Sequence, residues 1–187
     1  MHPRHPRLLP LVWLFTDERQ GSAVFDAVRA LPPGSGIVFR HYSLPPAERA
    51  ALFARIRRLA RRRRLCLLWA GSVHDAVRHG ADGVHGWDRA ATMRPLLRTA
   101  AVHDRRQLVR AQRIGADAVF LSPLFATRSH PGARPLGRSR FGLIAAHATM
   151  PVIALGGVSG NPRLPGAAGF AAIDGLTPGQ KRKAVPR

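Results

Sequence analysis

Lysine is almost missing from this 187-residue chain: of its 30 basic residues only Lys181 and Lys183 are lysines. A Schiff-base aldolase or a lysine clamp on a phosphate is therefore excluded before residue 181. Cysteine is as scarce. Cys66 stands alone in Leu65-Cys66-Leu67-Leu68, so no disulfide forms within the chain, and a buried strand thiol in a reducing, cytoplasmic setting is expected. No apolar run reaches the length that spans a bilayer, so no membrane partner is expected. The start, Arg4 and Arg7 followed by Leu8 to Phe15, imitates a secretion signal, but Pro10 interrupts it and Thr16-Asp17-Glu18-Arg19 closes it without a small-residue cleavage site.

Acidic residues number only 10, which leaves a formal charge of +20. Such an excess first suggests nucleic acid or another polyanion. Its distribution argues otherwise. Arginine is spread through the whole chain, and the densest cluster, Arg55, Arg57, Arg58 and Arg61 to Arg64, shares an amphipathic segment with Leu52, Phe53, Ile56 and Leu59. That is the pattern of a solvated outer helix face, and few aromatics interleave with it, so nucleic acid is not the expected partner.

What the chain does contain is a repeated joint. Gly80-Ala81-Asp82-Gly83-Val84-His85, Gly115-Ala116-Asp117-Ala118-Val119-Phe120 and Gly166-Ala167-Ala168-Gly169-Phe170-Ala171 each follow a helix-like stretch and lead into a short apolar strand. Glycine just past a helix takes the left-handed conformation that ends it, and the residues that follow suit a buried strand. Repeated helix-to-strand units imply a parallel sheet. Strands are expected at 11–15, 37–40, 65–68, 83–85, 100–102, 118–121, 152–154 and 170–173, with helices at 22–31, 45–63, 72–79, 89–98, 104–114 and 139–148. Eight short strands without a topological break predict an α/β fold of the (β/α)8 TIM-barrel class in one domain. Residues 1–10 read as a disordered leader, 11–176 as the barrel and 177–187 as a basic tail.

The last outer helices are expected to be shortened, because Pro162 and Pro165 break one and only a short tail follows Gly175. An apolar seam uncovered there predicts a homodimer.

In such a barrel the working face lies at the carboxyl ends of the strands. The polar residues there are Thr16, Asp17, Arg40, His41, Trp69, His85, Asp88, His103, Asp104, the loop Ser122 to His130, Gly156, Gly157 and Asp174. Gly156-Gly157 brings bare amides near an anion, while Thr127, Arg128, Ser129 and His130 add donors for phosphate oxygens.

Trp13-Leu14-Phe15-Thr16-Asp17, Ile37-Val38-Phe39-Arg40, Gly80 to His85, Ala101-Val102-His103, Ser122 to Thr127 and Pro151 to Val158 also carry a likeness. In their order and spacing the chain resembles the thiamine phosphate synthase family and its sister group, the TenI-like thiazole tautomerases, from Leu11 to Leu176. The resemblance implies a transferase that joins hydroxymethylpyrimidine pyrophosphate to thiazole phosphate in thiamine biosynthesis, so small phosphorylated ligands are the implied partners. Arg40, Thr127 and Ser129 would hold the pyrophosphate, Gly156 and Gly157 the thiazole phosphate, and His85 and His103 take the family's histidine positions as catalytic candidates.

Mg2+ is the implied cofactor, and the chain departs from the family where the metal is held. Trp69-Ala70 replaces the family's Asn-Asp, which leaves Asp88 as a candidate metal ligand. Tyr42 replaces a lysine, Arg128 or His130 stands for the loop lysine, and Asp174 for a serine. Three readings follow: a synthase-like transferase with weakened chemistry, a tautomerase in which His103 moves a proton, or a non-catalytic barrel that binds phosphorylated ligands.

Overall fold

Each strand is four to six residues long apart from the three-residue fourth, and most are apolar on both faces, as parallel strands buried between a lumen and a helix layer are, with His85 in the fourth and Arg98 and Thr99 in the fifth as exceptions. The strands are β1 Val12–Phe15, β2 Gly36–Phe39, β3 Cys66–Ala70, β4 Gly83–His85, β5 Leu97–Val102, β6 Ala118–Leu121, β7 Val152–Leu155 and β8 Gly169–Ala172. The helices are α1 Ala23–Ala30, α2 Pro46–Arg62, α3 Val73–Arg78, α4 Arg105–Arg113 and α5 Gly137–Ala145, with short 3-10 turns at Glu18–Gln20 and Asp174–Leu176. In this computed structural model residues 9–127, 132, 134–158 and 163–179 are described. Every strand pairs in parallel with the next, and β8 pairs with β1, so the sheet closes into the expected barrel.

Alternation along the strands divides the core. Trp13, Phe15, Val38, Leu68, Ala70, Leu97, Phe120, Ile153 and Ala171 form one buried cluster filling the lumen. Leu14, Ile37, Phe39, Leu67 and Trp69 point the other way, against Val24, Val28, Phe53 and Ile56 of α1 and α2. Trp13 fits because Gly36 on the adjacent strand leaves its ring room that a Cβ would take.

The repeated joint behaves as the sequence predicts at Gly80 and Gly115, which end α3 and α4, whereas at Gly166 the backbone conformation is the same but no helix precedes it among the described residues. Gly80, Gly115 and Gly166 all have positive φ, at 68°, 71° and 79°. After α3 and α4 the amides of Gly80 and Ala81, and of Gly115 and Ala116, turn back on the last helical carbonyls. The aspartate of the motif pins the start of the neighbouring strand. Asp82 accepts the amide of Leu67 at 2.9 Å, and Asp117 accepts that of Arg98 at 2.7 Å.

One expected helix is absent. Residues 89–98 form a loop that runs into β5, which begins at Leu97 rather than Ala100. Pro95 removes a helical amide, and Arg98 is held in the strand by Asp117 and by its guanidinium on the carbonyls of Asp88 and Ala90.

No helix forms between β7 and β8 or after β8 among the described residues. The seam is nevertheless covered: Val158 and Leu164 pack with Val152 and Phe170, and Leu176 lies against the same cluster. Among the described residues the apolar seam on which the homodimer was expected is thus covered. The leader and basic tail lie outside the described residues except for residues 9–10 and 177–179. Among the described residues no helix is long and apolar enough to cross a membrane.

Candidate functional site

Because all eight strands run one way, Arg40, Trp69, His85, His103, Ser122 and Gly156 arrive at a single end of the barrel. Arg40 follows β2 on the lumen side, with its guanidinium 5.7 Å from the centroid of the Phe15 ring. Its Nε donates to Thr16 O at 2.9 Å and its Nη2 to Asp17 Oδ2 at 2.7 Å. Asp17 is shared, since Arg19 Nε donates to its other oxygen at 2.7 Å. Burial works against the Asp17 carboxylate, but the hydrogen bonds and charge of Arg19, with Arg40 behind them, outweigh it and hold its pKa below the usual range.

His41 makes this corner rigid. Its φ of 40° is left-handed, a strained conformation for a non-glycine residue. The ring stacks on Phe39 at 4.9 Å, and its Nδ1 lies 2.9 Å from Thr16 Oγ1. That hydroxyl also accepts the Arg40 amide at 3.0 Å, and with the neutral ring protonated on Nε2 its own proton goes to His41 Nδ1. Burial lowers the basicity of the His41 ring and so favours this neutral form.

His85 stands in the lumen mouth, edge-on to Phe15 at 5.3 Å and Phe120 at 5.4 Å. Its Nδ1 lies 3.0 Å from Thr99 Oγ1. Burial, and after it the charge of Arg40, depresses the imidazole to about 3, so the ring is neutral at physiological pH.

His103 sits differently: it is exposed, and its Nδ1 lies 2.8 Å from the carbonyl of Ser122. A carbonyl only accepts, so Nδ1 carries a proton, and in the neutral ring Nε2 keeps its lone pair.

The twin glycines serve packing. Gly156 and Gly157 have φ of 94° and 66°, and a Cβ on either would strike the loop after β6, Pro123 in one case and Ala126 O and Phe125 in the other. The Phe125 amide donates to Gly156 O at 3.0 Å. Thr127, half-buried, ends the described part of that loop, and Arg128, Ser129 and His130 lie outside the described residues.

Two functional neighbours escape a reading of the sequence. Thr99 belongs to β5 only because that strand starts early. Arg49, in the first turn of α2, donates from Nε to Arg40 O at 2.9 Å and from Nη2 to Ala70 O at 2.6 Å, tying the ends of β2 and β3 together. Its guanidinium lies 4.1 Å from the Trp69 ring centroid. Its place at the start of a helix that follows a strand was the available signal.

Comparison with known proteins agrees with this architecture. A model of the thiamine monophosphate synthase family matches residues 13–173, which spans the barrel. The chain belongs to that family. A thiamine-phosphate synthase from Chlorobium limicola is 32% identical over 178 residues, covering 88% of this chain and 84% of the relative. Another, from Methanoculleus marisnigri, is 30% identical over 161 residues, 79% of this chain and 76% of its own. Among solved structures, a thiamine phosphate pyrophosphorylase from Pyrococcus furiosus superposes with a TM-score of 0.71 at 23% identity, over 89% of this chain and 86% of that one.

The thiamine monophosphate synthase family is generally Mg2+-dependent, and among the described residues the side chains do not form a set that fits a bound metal. Where the resemblance places Asn-Asp, Trp69 packs outward under Arg49 and Ala70 points into the lumen without a donor side chain. Asp88 is engaged as a local cap: Oδ2 accepts the Val73 amide at 2.7 Å and Oδ1 the Ala90 amide at 2.9 Å. Those amides are also what lowers its pKa. Among the described residues no three His, Cys, Asp or Glu side chains converge on a possible metal position.

Proposed function

We propose that the chain is a transferase of the thiamine phosphate synthase type, which joins hydroxymethylpyrimidine pyrophosphate to thiazole phosphate at the mouth of the barrel. The observation that carries this reading is the family match over the whole barrel, residues 13–173, with a guanidinium fixed at the end of β2. In the reaction the bond from the pyrimidine methylene carbon to the pyrophosphate oxygen breaks, its electron pair leaves with pyrophosphate, and the thiazole nitrogen supplies the pair for the new C–N bond. Charge develops on the leaving group, so fixed donors and cations accelerate it and no general base is required.

In this reading Arg40, anchored through Nε and one Nη, offers its Nη1 edge to the pyrophosphate. Thr127, Arg128, Ser129 and His130 add donors from the loop after β6, and the Gly156-Gly157 backbone takes the thiazole phosphate. His85, neutral above the Phe15 and Phe120 rings, offers a hydrogen bond to the heterocycle rather than a charge.

Incubating purified protein with both phosphorylated halves, in the presence and absence of Mg2+, and separating the products by chromatography tests the proposal. Thiamine phosphate is expected, and Arg40→Gln is expected to lower kcat/KM by about a hundredfold or more. Failure of any thiamine phosphate to form removes the transferase reading.

One observation favours a second reading. The exposed His103, with its proton fixed on Nδ1 by Ser122 O, holds an Nε2 lone pair ready for proton transfer on a thiazole carboxylate phosphate. Tautomerisation that survives His103→Ala removes that reading. Binding of either ligand without turnover leaves the non-catalytic barrel.

A further inference from the structure

All 10 acidic side chains of this chain fall within the described residues, so their distribution can be followed in full. Asp26 pairs with Arg29, Asp75 accepts the hydroxyl of Ser72, the residue that caps α3, Asp104 caps α4, and Asp82 and Asp117 hold strand starts at the opposite end of the barrel. Glu48 lies exposed in the first turn of α2, and Asp174 opens the turn after β8. Glu18 accepts the Ser43 amide, and Asp88 accepts two amides beside α3. That leaves Asp17 as the carboxylate bonded to Arg40 at the lumen mouth, and it is already held between two guanidiniums at 2.7 Å each.

A divalent cation bridging a pyrophosphate needs anionic oxygen ligands that are not already neutralised. Here the lumen-facing position at the end of β3 is Ala70, whose carbonyl is taken by Arg49. A Mg2+ ion drawn to Asp17 would compete with its two arginines for the same carboxylate, against the repulsion of both. The positive charge at this mouth is built from guanidinium, in a chain with arginine throughout and no lysine before residue 181.

We infer that this chain binds a pyrophosphate group directly through arginine and without a divalent metal. The inference rests on the proposed ligand class but not on turnover. Because Mg2+ lowers the negative charge that a pyrophosphate presents, added metal weakens binding here or leaves it unchanged. A carboxylate placed at residue 70 converts the site: Ala70→Asp puts a negative charge at the inward end of β3, so that the anion is repelled until a metal bridges the two.

Titration calorimetry of the full chain with inorganic pyrophosphate, in excess EDTA and then in millimolar Mg2+, reads this out. In EDTA the protein binds, with a dissociation constant equal to or tighter than that in Mg2+, and Arg40→Gln weakens it by about tenfold or more. Ala70→Asp binds about tenfold more weakly in EDTA and recovers when Mg2+ is added. Binding of the unaltered chain that requires Mg2+, or an Arg40→Gln protein that binds as the parent does, overturns the inference. The EDTA comparison needs no variant, so a misfolded substitution does not shield it. Absence of thiamine phosphate beside metal-free binding removes the transferase and leaves this inference standing. Turnover with binding that depends on metal does the reverse.

Discussion

His85 shows how strongly one residue's chemistry depends on where the fold puts it. In the unfolded chain its ring has an ordinary value near 6.5, and in the barrel burial brings it to about 3. Below about pH 6.5 the unfolded chain therefore binds a proton that the folded chain does not. The stability contributed by this ring is complete above that pH and is lost as the pH falls toward 3, at about 1.4 kcal/mol per pH unit. His41, whose pKa burial also lowers, acts in the same direction. Urea unfolding at pH 7 and pH 5 is expected to show the loss, and His85→Gln to flatten it. An unchanged slope in that variant would place the proton uptake elsewhere. The other histidine candidate, His103, differs because it is exposed and its partner is a carbonyl, which sets its tautomer.

Between elements, short polar contacts do the joining that long helices do elsewhere in this barrel. Gln20, buried in the turn after β1, donates from Nε2 to Thr177 Oγ1 at 2.8 Å, and that hydroxyl donates to Ile173 O at 2.9 Å. Thr177→Val leaves the buried Gln20 Nε2 without its acceptor and removes one of the two donors to Ile173 O where the first and last strands meet. The expected cost is about 1–3 kcal/mol, read as a lower urea midpoint with an unchanged m-value. Arg49 plays a comparable part between β2 and β3, and in the loop at 86–96 Asp88 accepts the Ala90 amide while Arg98 donates to the carbonyls of Asp88 and Ala90.

For the whole molecule, the missing outer helices raise the question of assembly. Val158, Leu164 and Leu176 close the seam over β7 and β8, and the exposed large apolar side chains, such as Leu11, Met93 and Leu143, are scattered over separate elements. Among the described residues this cover leaves no open apolar seam, and light scattering decides the assembly: twice the mass of one chain supports the expected homodimer, and the mass of one chain removes it.

The barrel itself was legible in the residues. Strand after strand is marked by β-branched and aromatic runs, and the Gly-Ala joints at 80 and 115 announce where helices stop, because positive φ is a local property that glycine alone meets cheaply. The region at 89–98 misled for the same reason: local periodicity suggested a helix, while Pro95 and the distant Asp117 determined a strand start. At the site, Arg40, His85 and His103 could be named from their places after strands, since a parallel barrel sends every strand end to one face.

What the sequence by itself determined, then, is the order of elements, the closed α/β architecture and the set of polar residues at its mouth, all of which follow from local periodicity and chain direction. Only the tertiary structure decided which of those residues are spoken for. Arg40 is bound to Asp17, Asp88 to two amides, the twin glycines to the loop after β6, and Arg49 to the carbonyls of Arg40 and Ala70. Those partners are brought together by strand closure across long stretches of chain, and a hydrogen bond or a desolvated charge exists only once both groups have been carried to the same place.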